Sequence, residues 1–203
     1  MKNVVDFLKI AEKLECECRI TRTSDGAFQS VASHSWNMAM MAMAFKPYLQ
    51  TPVNMERVLE LCLLHDLPEA VAHDIPLHLQ TPEIKQKKNQ EEKIVVDRFS
   101  ELLKDSDICD LFEEYEERKT QESKLVKALD ILDTCVAHLC AKDLKYVGEY
   151  ANNFYWKLFF SDDFEKSFDF EPVLSQVFGE IKKQVSERLK TELNIDSKCF
   201  IKE

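Results

Sequence analysis

The segment from His65 to Pro76 is the part of the sequence best suited to chemistry, because it concentrates imidazole and carboxylate groups. An apolar run, Leu61 to Leu64, leads directly into the pair His65-Asp66. A buried, unpaired carboxylate beside an imidazole would cost several kcal/mol. A divalent metal removes that cost, since imidazole nitrogens and carboxylate oxygens are its natural ligands. The segment therefore favours a metal site.

Two further polar residues stand where the sequence predicts buried helix. His34 begins the most apolar helix of the chain, and Asp130 lies in the apolar run LVKALDILDTCVA. Each has a structural explanation when taken alone, since a lone histidine can be satisfied in a core and a lone aspartate can be solvated. Asp133 follows Asp130 closely, so one of the two could be the exposed member of the pair. Their coincidence with His65-Asp66 favours metal binding.

Hydrophobic periodicity is helical along almost the whole chain and predicts an all-α fold. We expect helices over 3–14, 34–46, from Pro52 towards Pro68, and over 82–104, 121–141 and 172–192. Residues 15–33 are interpreted as a loop, and Ser33 is a candidate cap for helix 34–46. That helix is apolar on nearly all sides and should be central, with its methionines filling the core.

The inward faces of the charged helices follow from the same spacing. We expect Ile84, Ile94, Val95, Phe99 and Leu102 to point inward from helix 82–104. The charged runs KQKKNQEEK and EEYEERK are interpreted as solvated helix faces. The apolar face of the last helix could pack internally or in a homodimer.

Composition excludes several classes of function. The net charge of −10 argues against nucleic-acid binding, which uses a Lys/Arg surface. With only 3 glycines, the sequence has no phosphate-cradling loop. We expect no membrane span and no secretory signal, since long apolar runs are missing. The 7 cysteines form no C-x-x-C pair and suggest reduced thiols in a cytoplasmic protein.

The order His34, His65-Asp66, Asp130 resembles the H…HD…D signature of the HD superfamily of metal-dependent phosphohydrolases. The extended pattern H-D-x-x-E-x-x-x-x-D-x-P, which ends at Pro76, resembles more specifically the bacterial 5'-deoxynucleotidase branch and its eukaryotic homologues. The resemblance covers roughly residues 1–140.

This resemblance implies an all-α HD-domain helical bundle with an additional C-terminal helical extension. We expect a single HD domain over 1–203, with the metal-site core at about 30–140 and the extension at about 141–203. The resemblance implies one divalent metal ion (Mn, Co, Mg, Ni, Fe or Zn) held by His34, His65, Asp66 and Asp130.

The resemblance also implies the remaining roles. Glu69 would be the acid/base for the attacking water, and Asp74 would assist at the leaving group or sugar. Arg19 would contact the substrate phosphate, with Arg22 as a second candidate. A metal that activates water, a carboxylate that takes its proton and a guanidinium that binds phosphate together describe a phosphomonoester hydrolase.

The expected substrate is a small nucleotide, a nucleoside 5'-monophosphate of the deoxy series. One alternative is another small phosphate ester or a nucleoside triphosphate. A second alternative is a non-catalytic, metal-stabilised helical binding protein, although Glu69 and Asp74 count against it. His73 and His78 remain open as further ligands.

Overall fold

The computed structural model describes residues 1–76, 79–104, 107–146 and 159–200 of the chain. It confirms the all-α class. The helices are α1 (Lys2–Ala11), α2 (Val31–Phe45), α3 (Met55–Leu64), α4 (Glu69–Ala72), α5 (Pro82–Leu103), α6 (Asp107–Glu117), α7 (Gln121–Cys140), α8 (Asp162–Lys166) and α9 (Pro172–Leu193). Short 3₁₀ turns occupy Glu12–Glu15, Lys46–Tyr48 and Ser197–Phe200.

A small antiparallel strand pair precedes α2, where the sequence predicted only a loop. Strand β1 (Cys18–Arg22) pairs with β2 (Phe28–Ser30). The connecting turn places Gly26 at φ 93, a backbone conformation that glycine adopts without steric cost. The loop interpretation was wrong because strands this short leave too few residues to display an alternating pattern.

Side-chain caps determine where the long helices begin. The Ser30 hydroxyl accepts a hydrogen bond from the Ser33 backbone N–H, so α2 begins at Val31 and Ser33 is not its cap. Thr120 caps α7 in the same way, through the Ser123 backbone N–H. The bounds of α5, α7 and α9 agree closely with the predicted helices.

The larger core lies where α2, α3 and α9 pack against α7. The apolar face of α9 is buried within the chain through Leu174, Phe178, Ile181, Val185 and Leu189. Of the two alternatives for this helix, packing within the chain and packing in a homodimer, the structure therefore shows the first.

A second core forms where α1, α4 and α6 pack against α5, around the buried side chain of Phe99. The predicted inward face of α5 was partly wrong, since Ile94 is 69% exposed and the charged Glu92 is buried instead. Helix α2 is likewise not buried on all sides, because Met40 and Met43 are exposed. Periodicity locates an apolar stripe but not the neighbours that cover it.

Within the described residues, no helix combines the length and the apolar character needed to cross a membrane.

Candidate metal centre

Two buried histidines present the same ring nitrogen to one point in the structure. His65 follows the last residue of α3, and its Nδ1 lies 3.0 Å from the carbonyl oxygen of Cys62. His34 lies in the first turn of α2, and its Nδ1 lies 2.6 Å from Oδ2 of Asp133. Because both oxygens are acceptors, each Nδ1 carries the proton and each Nε2 keeps a free lone pair.

Neither Nε2 atom has a hydrogen-bond partner among the described residues, although both atoms are buried. The Asp66 Oδ2 atom lies 3.1 Å from Nε2 of His65 and 3.6 Å from Nε2 of His34. One ligand atom from each of the three residues falls within 4.8 Å of the others. Lone pairs that face a carboxylate without an intervening donor need a cation, and these nitrogen and oxygen donors suit a divalent metal.

Asp130 approaches the cluster from α7 with one oxygen. Its Oδ1 lies 3.2 Å from Nε2 of His34. Its Oδ2 accepts hydrogen bonds from Lys127 Nζ at 2.7 Å and from the Tyr115 hydroxyl at 3.3 Å. The structure therefore brings all four residues that the sequence indicated into one place, and Asp130 contacts the three-residue cluster through His34.

The electrostatics of the site keep both aspartates ionised. Burial raises the pKa of Asp66, but the positive charge that His65 and His34 carry when protonated outweighs that effect and lowers the pKa below its usual range; a metal cation held at the same nitrogens would act on Asp66 in the same direction. Burial opposes the charge of Asp130 too, and Lys127 together with His34 holds its pKa well below normal. Two carboxylates therefore stay negative in a region largely removed from water.

Arg19 enters the site from β1. Its Nη1 lies 3.4 Å from Asp66 Oδ2, and its Nη2 donates to Thr134 Oγ1 at 3.2 Å. Burial disfavours the guanidinium charge, but the carboxylates of Asp130 and Asp66 raise the pKa of Arg19 overall. Arg19 is thus a largely buried, permanent cation beside the cluster.

Arg22 lies elsewhere. Its guanidinium stacks on the ring of Phe28 at 3.4 Å and donates to the Gly26 carbonyl at 3.5 Å. It is absent from the described residues that line the cavity at the metal cluster. The structure therefore brings Arg19 to the site but does not bring Arg22 there.

A cavity of about 490 Å³ opens onto the cluster. This volume lies within the roughly 300–1,000 Å³ typical of small-ligand sites. Charged side chains dominate its wall, and aromatic side chains of the C-terminal region complete it. The lining includes Arg19, His65, Asp66, Glu69, Asp74, Lys85, Lys88, Glu92, Asp130, Phe159 and Phe164.

Glu69 lies in this wall at the start of α4 and is buried. Its Oε1 accepts a hydrogen bond from Lys88 Nζ at 2.7 Å, and Lys88 also lies 3.4 Å from Oε1 of Glu92. Burial raises the pKa of Glu69 to about 9, with a further contribution from Asp66, while Lys88 opposes the rise. Glu69 therefore exchanges its proton in the alkaline range and is protonated at neutral pH.

Two features of this wall depart from what the sequence predicts. Helix α3 ends at Leu64, short of the predicted end near Pro68, and a turn intervenes before α4, so His65 and Glu69 do not share a helix. Lys88 and Glu92 belong to the run interpreted as a solvated face, yet both line the cavity. The spacing of Lys88 and Glu92 on α5, one helical turn apart, is the one local signal that could have indicated an ion pair.

Asp74 is fixed through its backbone. The residue before it, His73, adopts φ 66, an unfavourable conformation for a side-chain-bearing residue. Glu17 stabilises this turn, since its carboxylate accepts from the Asp74 backbone N–H at 3.0 Å and contacts Nδ1 of His73 at 2.9 Å. The Asp74 side chain lines the cavity.

Within the described residues, the other histidines, His73 and His138, do not lie at the cluster. The His73 side chain is 72% exposed and bonds Glu17, and His78 lies outside the described residues. His138 is buried and donates from Nδ1 to the Thr134 carbonyl at 2.6 Å, while burial lowers its pKa to about 4.

Comparison with known proteins places this geometry in a family. A family model described as HD domain matches residues 11–168. The chain belongs to the HD-domain family. It is 33% identical to 5'-deoxynucleotidase HDDC2 of Danio rerio over 144 residues, 67% of this chain and 68% of that protein. It is 28% identical to 5'-deoxynucleotidase HDDC2 of Homo sapiens over 162 residues, 76% of each.

Solved structures agree on the fold. A predicted metal-dependent phosphohydrolase from Magnetospirillum magnetotacticum MS-1 superposes with a TM-score of 0.74 and 22% identity, over 92% of this chain and 93% of that one. Membership of the HD-domain family and the cluster of His34, His65 and Asp66 together imply a divalent metal in this protein.

Replacing Asp66 with alanine in this HD-domain protein should reduce bound metal. The substitution deletes the carboxylate oxygen that faces both Nε2 atoms, so we expect metal affinity to fall by more than the ~10–100-fold that is typical when only an outer partner of a ligand is lost. Metal content after dialysis against limiting Mn²⁺ measures this directly. Asp6→Ala, which removes a half-exposed carboxylate paired with Lys9, is the matched control. Wild-type metal content in Asp66→Ala would contradict the assignment.

Proposed function

We propose that this HD-domain protein is a metal-dependent phosphohydrolase that releases phosphate from nucleoside 5'-monophosphates, with a preference for deoxyribonucleotides. One observation carries the proposal. Two buried histidine nitrogens, which have no hydrogen-bond partner among the described residues, face Asp66, and Asp66 lines a cavity together with His65, Glu69 and Arg19. The 5'-deoxynucleotidase names of the relatives from Danio rerio and Homo sapiens support the substrate class.

His34, His65, Asp66 and Asp130 would hold one divalent ion, chosen from Mn, Co, Mg, Ni, Fe and Zn. Such an ion supplies charge neutralisation at a phosphoryl group and a lowered pKa for water. The proximity of Asp130 to His34 and the ionised state of both aspartates support this ligand set.

Glu69 is the proposed proton acceptor for the attacking water. Burial raises its pKa to about 9, so the ionised form that accepts a proton prevails at alkaline pH, and Lys88 fixes the position of its carboxylate. Asp74 lines the same cavity and would assist at the leaving group or the sugar. An active phosphohydrolase, unlike a metal-stabilised binding protein, requires these two acids.

Arg19 is the proposed phosphate contact. A chain with a net charge of −10 repels anionic substrates unless a local cation compensates. The largely buried guanidinium of Arg19 pairs with Asp66 and Asp130 through its two Nη atoms, and its planar set of five donors also suits phosphate oxygens. The same negative field supports a small-molecule nucleotide as substrate and argues against a nucleic acid as partner.

Kinetics on matched nucleotides test the proposal. We expect phosphate release from dAMP to exceed that from AMP, and Arg19→Ala to raise KM for dAMP about 10-fold or more, since it removes a charge-assisted contact. Arg22→Ala, whose guanidinium stacks on Phe28, is the matched control and should leave KM near the wild-type value. Phosphate release from dATP or from simple esters alone would replace the monophosphate proposal with a broader phosphohydrolase.

The pH dependence of turnover tests the role of Glu69. As a proton acceptor Glu69 must be ionised, so activity should rise as pH increases through its pKa. Lys88→Met removes the cation 2.7 Å from the Glu69 carboxylate and so raises that pKa further. We expect the rising limb of the kcat profile to move to higher pH in Lys88→Met and to return in Lys88→Arg. An unchanged limb would show that another group governs it.

We also propose a cytoplasmic homodimer. The described cysteines are free thiols, which supports a reducing compartment. Because α9 packs internally, the proposed dimer surface is the exposed stripe of Trp36, Met40 and Met43 on α2.

Light scattering during size-exclusion chromatography tests the dimer. Trp36→Glu places a charge on the stripe and should convert a dimer into a monomer. Ile94→Glu alters an equally exposed apolar residue on α5 and should leave the mass unchanged. A monomeric wild-type protein would refute this arrangement.

A further inference from the structure

A chain of buried hydrogen bonds connects the strand pair to a metal-site histidine. Thr21 Oγ1 on β1 lies 2.6 Å from Gln29 Oε1 on β2, and Gln29 Nε2 lies 2.7 Å from Oδ2 of Asp133 on α7. The same Oδ2 lies 2.6 Å from Nδ1 of His34. These four side chains are all at least nine-tenths removed from solvent.

The direction of each bond in this chain is determined by chemistry. The Gln29 amide oxygen faces the Thr21 hydroxyl, which donates to it, so the amide nitrogen faces Asp133. The Asp133 Oδ2 atom then accepts two hydrogen bonds, one from Gln29 and one from His34. The proton of His34 is thereby held on Nδ1, and its Nε2 lone pair is directed towards Asp66 and Asp130.

The other metal-site histidine achieves the same tautomer locally. His65 donates to the carbonyl of Cys62 in the preceding helical turn, so its acceptor is part of a rigid backbone. The acceptor for His34 is instead a side chain from another helix, and a carboxylate can rotate. The Gln29 amide, itself held by Thr21, removes that freedom.

We infer that Asp133, held in place by Gln29 and Thr21, is a positioning residue that fixes the ring and tautomer of His34 and thereby sets the affinity for the metal. The inference rests on the proposed metal site but not on the identity of the substrate. A carboxylate bonded to a ligand histidine orients the ring and strengthens it as a donor, and loss of such a partner typically lowers metal affinity ~10–100-fold. The strand pair, on this account, is part of the metal centre.

Metal titration of graded variants tests the inference. Asp133→Leu removes the acceptor, Asp133→Asn keeps an oxygen without its charge, and Gln29→Leu releases the carboxylate. Isothermal titration of each metal-depleted protein with Mn²⁺ should give a loss of ~10–100-fold for Asp133→Leu. Smaller losses should follow for Asp133→Asn and for Gln29→Leu. Asp169→Asn, at an exposed position, should titrate like the wild type.

A second measurement separates positioning from folding. Thermal unfolding of the metal-depleted proteins identifies any variant that fails to fold, and Asp133→Asn keeps the test valid if Asp133→Leu does. Nitrogen NMR of the histidine rings should place the His34 proton on Nδ1 in the wild type, and Asp133→Leu should abolish that preference while His65 keeps its own.

Three outcomes are distinguishable. Folded Asp133→Asn and Gln29→Leu proteins that bind Mn²⁺ as tightly as the wild type would overturn the inference alone. Weakened Mn²⁺ binding without any nucleotide hydrolysis by the wild type would uphold the inference and overturn the proposed function. A wild-type protein that binds no divalent metal would overturn both.

Discussion

The structure depends on the mutual neutralisation of charges that have been removed from water. Ionised carboxylates, two imidazoles and a guanidinium converge between α2, α3, α7 and β1. An unpaired charge in such a place costs several kcal/mol, so every element that contributes a charge must be held close to its partner. Among the described residues, the Nε2 atoms of His34 and His65 have no hydrogen-bond partner. A cation bound there would complete the neutralisation of the carboxylates.

The surrounding architecture follows from that requirement. Helix α7 contributes Asp130 directly and Asp133 behind His34, so its position fixes both sides of one imidazole. Helix α7 packs against α9, α3 and α2, and α2 packs against α3 in turn. These contacts hold α7 in place. The second core, around Phe99, supports α4 and α5 and so positions Glu69 against Lys88. The apolar cores serve the site by immobilising the charged groups.

The sequence was sufficient to identify the polar residues that stand in apolar surroundings. His34, His65, Asp66 and Asp130 stood out as polar groups in apolar runs, and the structure brings them together. The bounds of α7 and α9 were also predictable, because long amphipathic patterns leave little ambiguity. The all-α class followed from the helical patterns, and the family followed from the resemblance of His34, His65-Asp66 and Asp130 to the H…HD…D signature.

The features that could not be predicted from the sequence depend on contacts between residues that are distant along the chain. Asp133 could be buried or exposed until Gln29 and His34 were known to face it. Lys88 resembled any other solvated lysine until Glu69 was placed beside it. The strand pair was too short to show periodicity, although its hydrogen bonds reach the metal centre. The spacing of apolar residues predicts which face of an element is buried. It does not predict which distant side chains or strands will contact each other.

The location of the metal is the most direct test of this account. Crystals of the protein grown with Mn²⁺ should give one anomalous difference peak within ligand distance of Nε2 of His34, Nε2 of His65 and a carboxylate oxygen of Asp66. A peak elsewhere, with these two nitrogens hydrogen-bonded to water or to protein, would contradict the account.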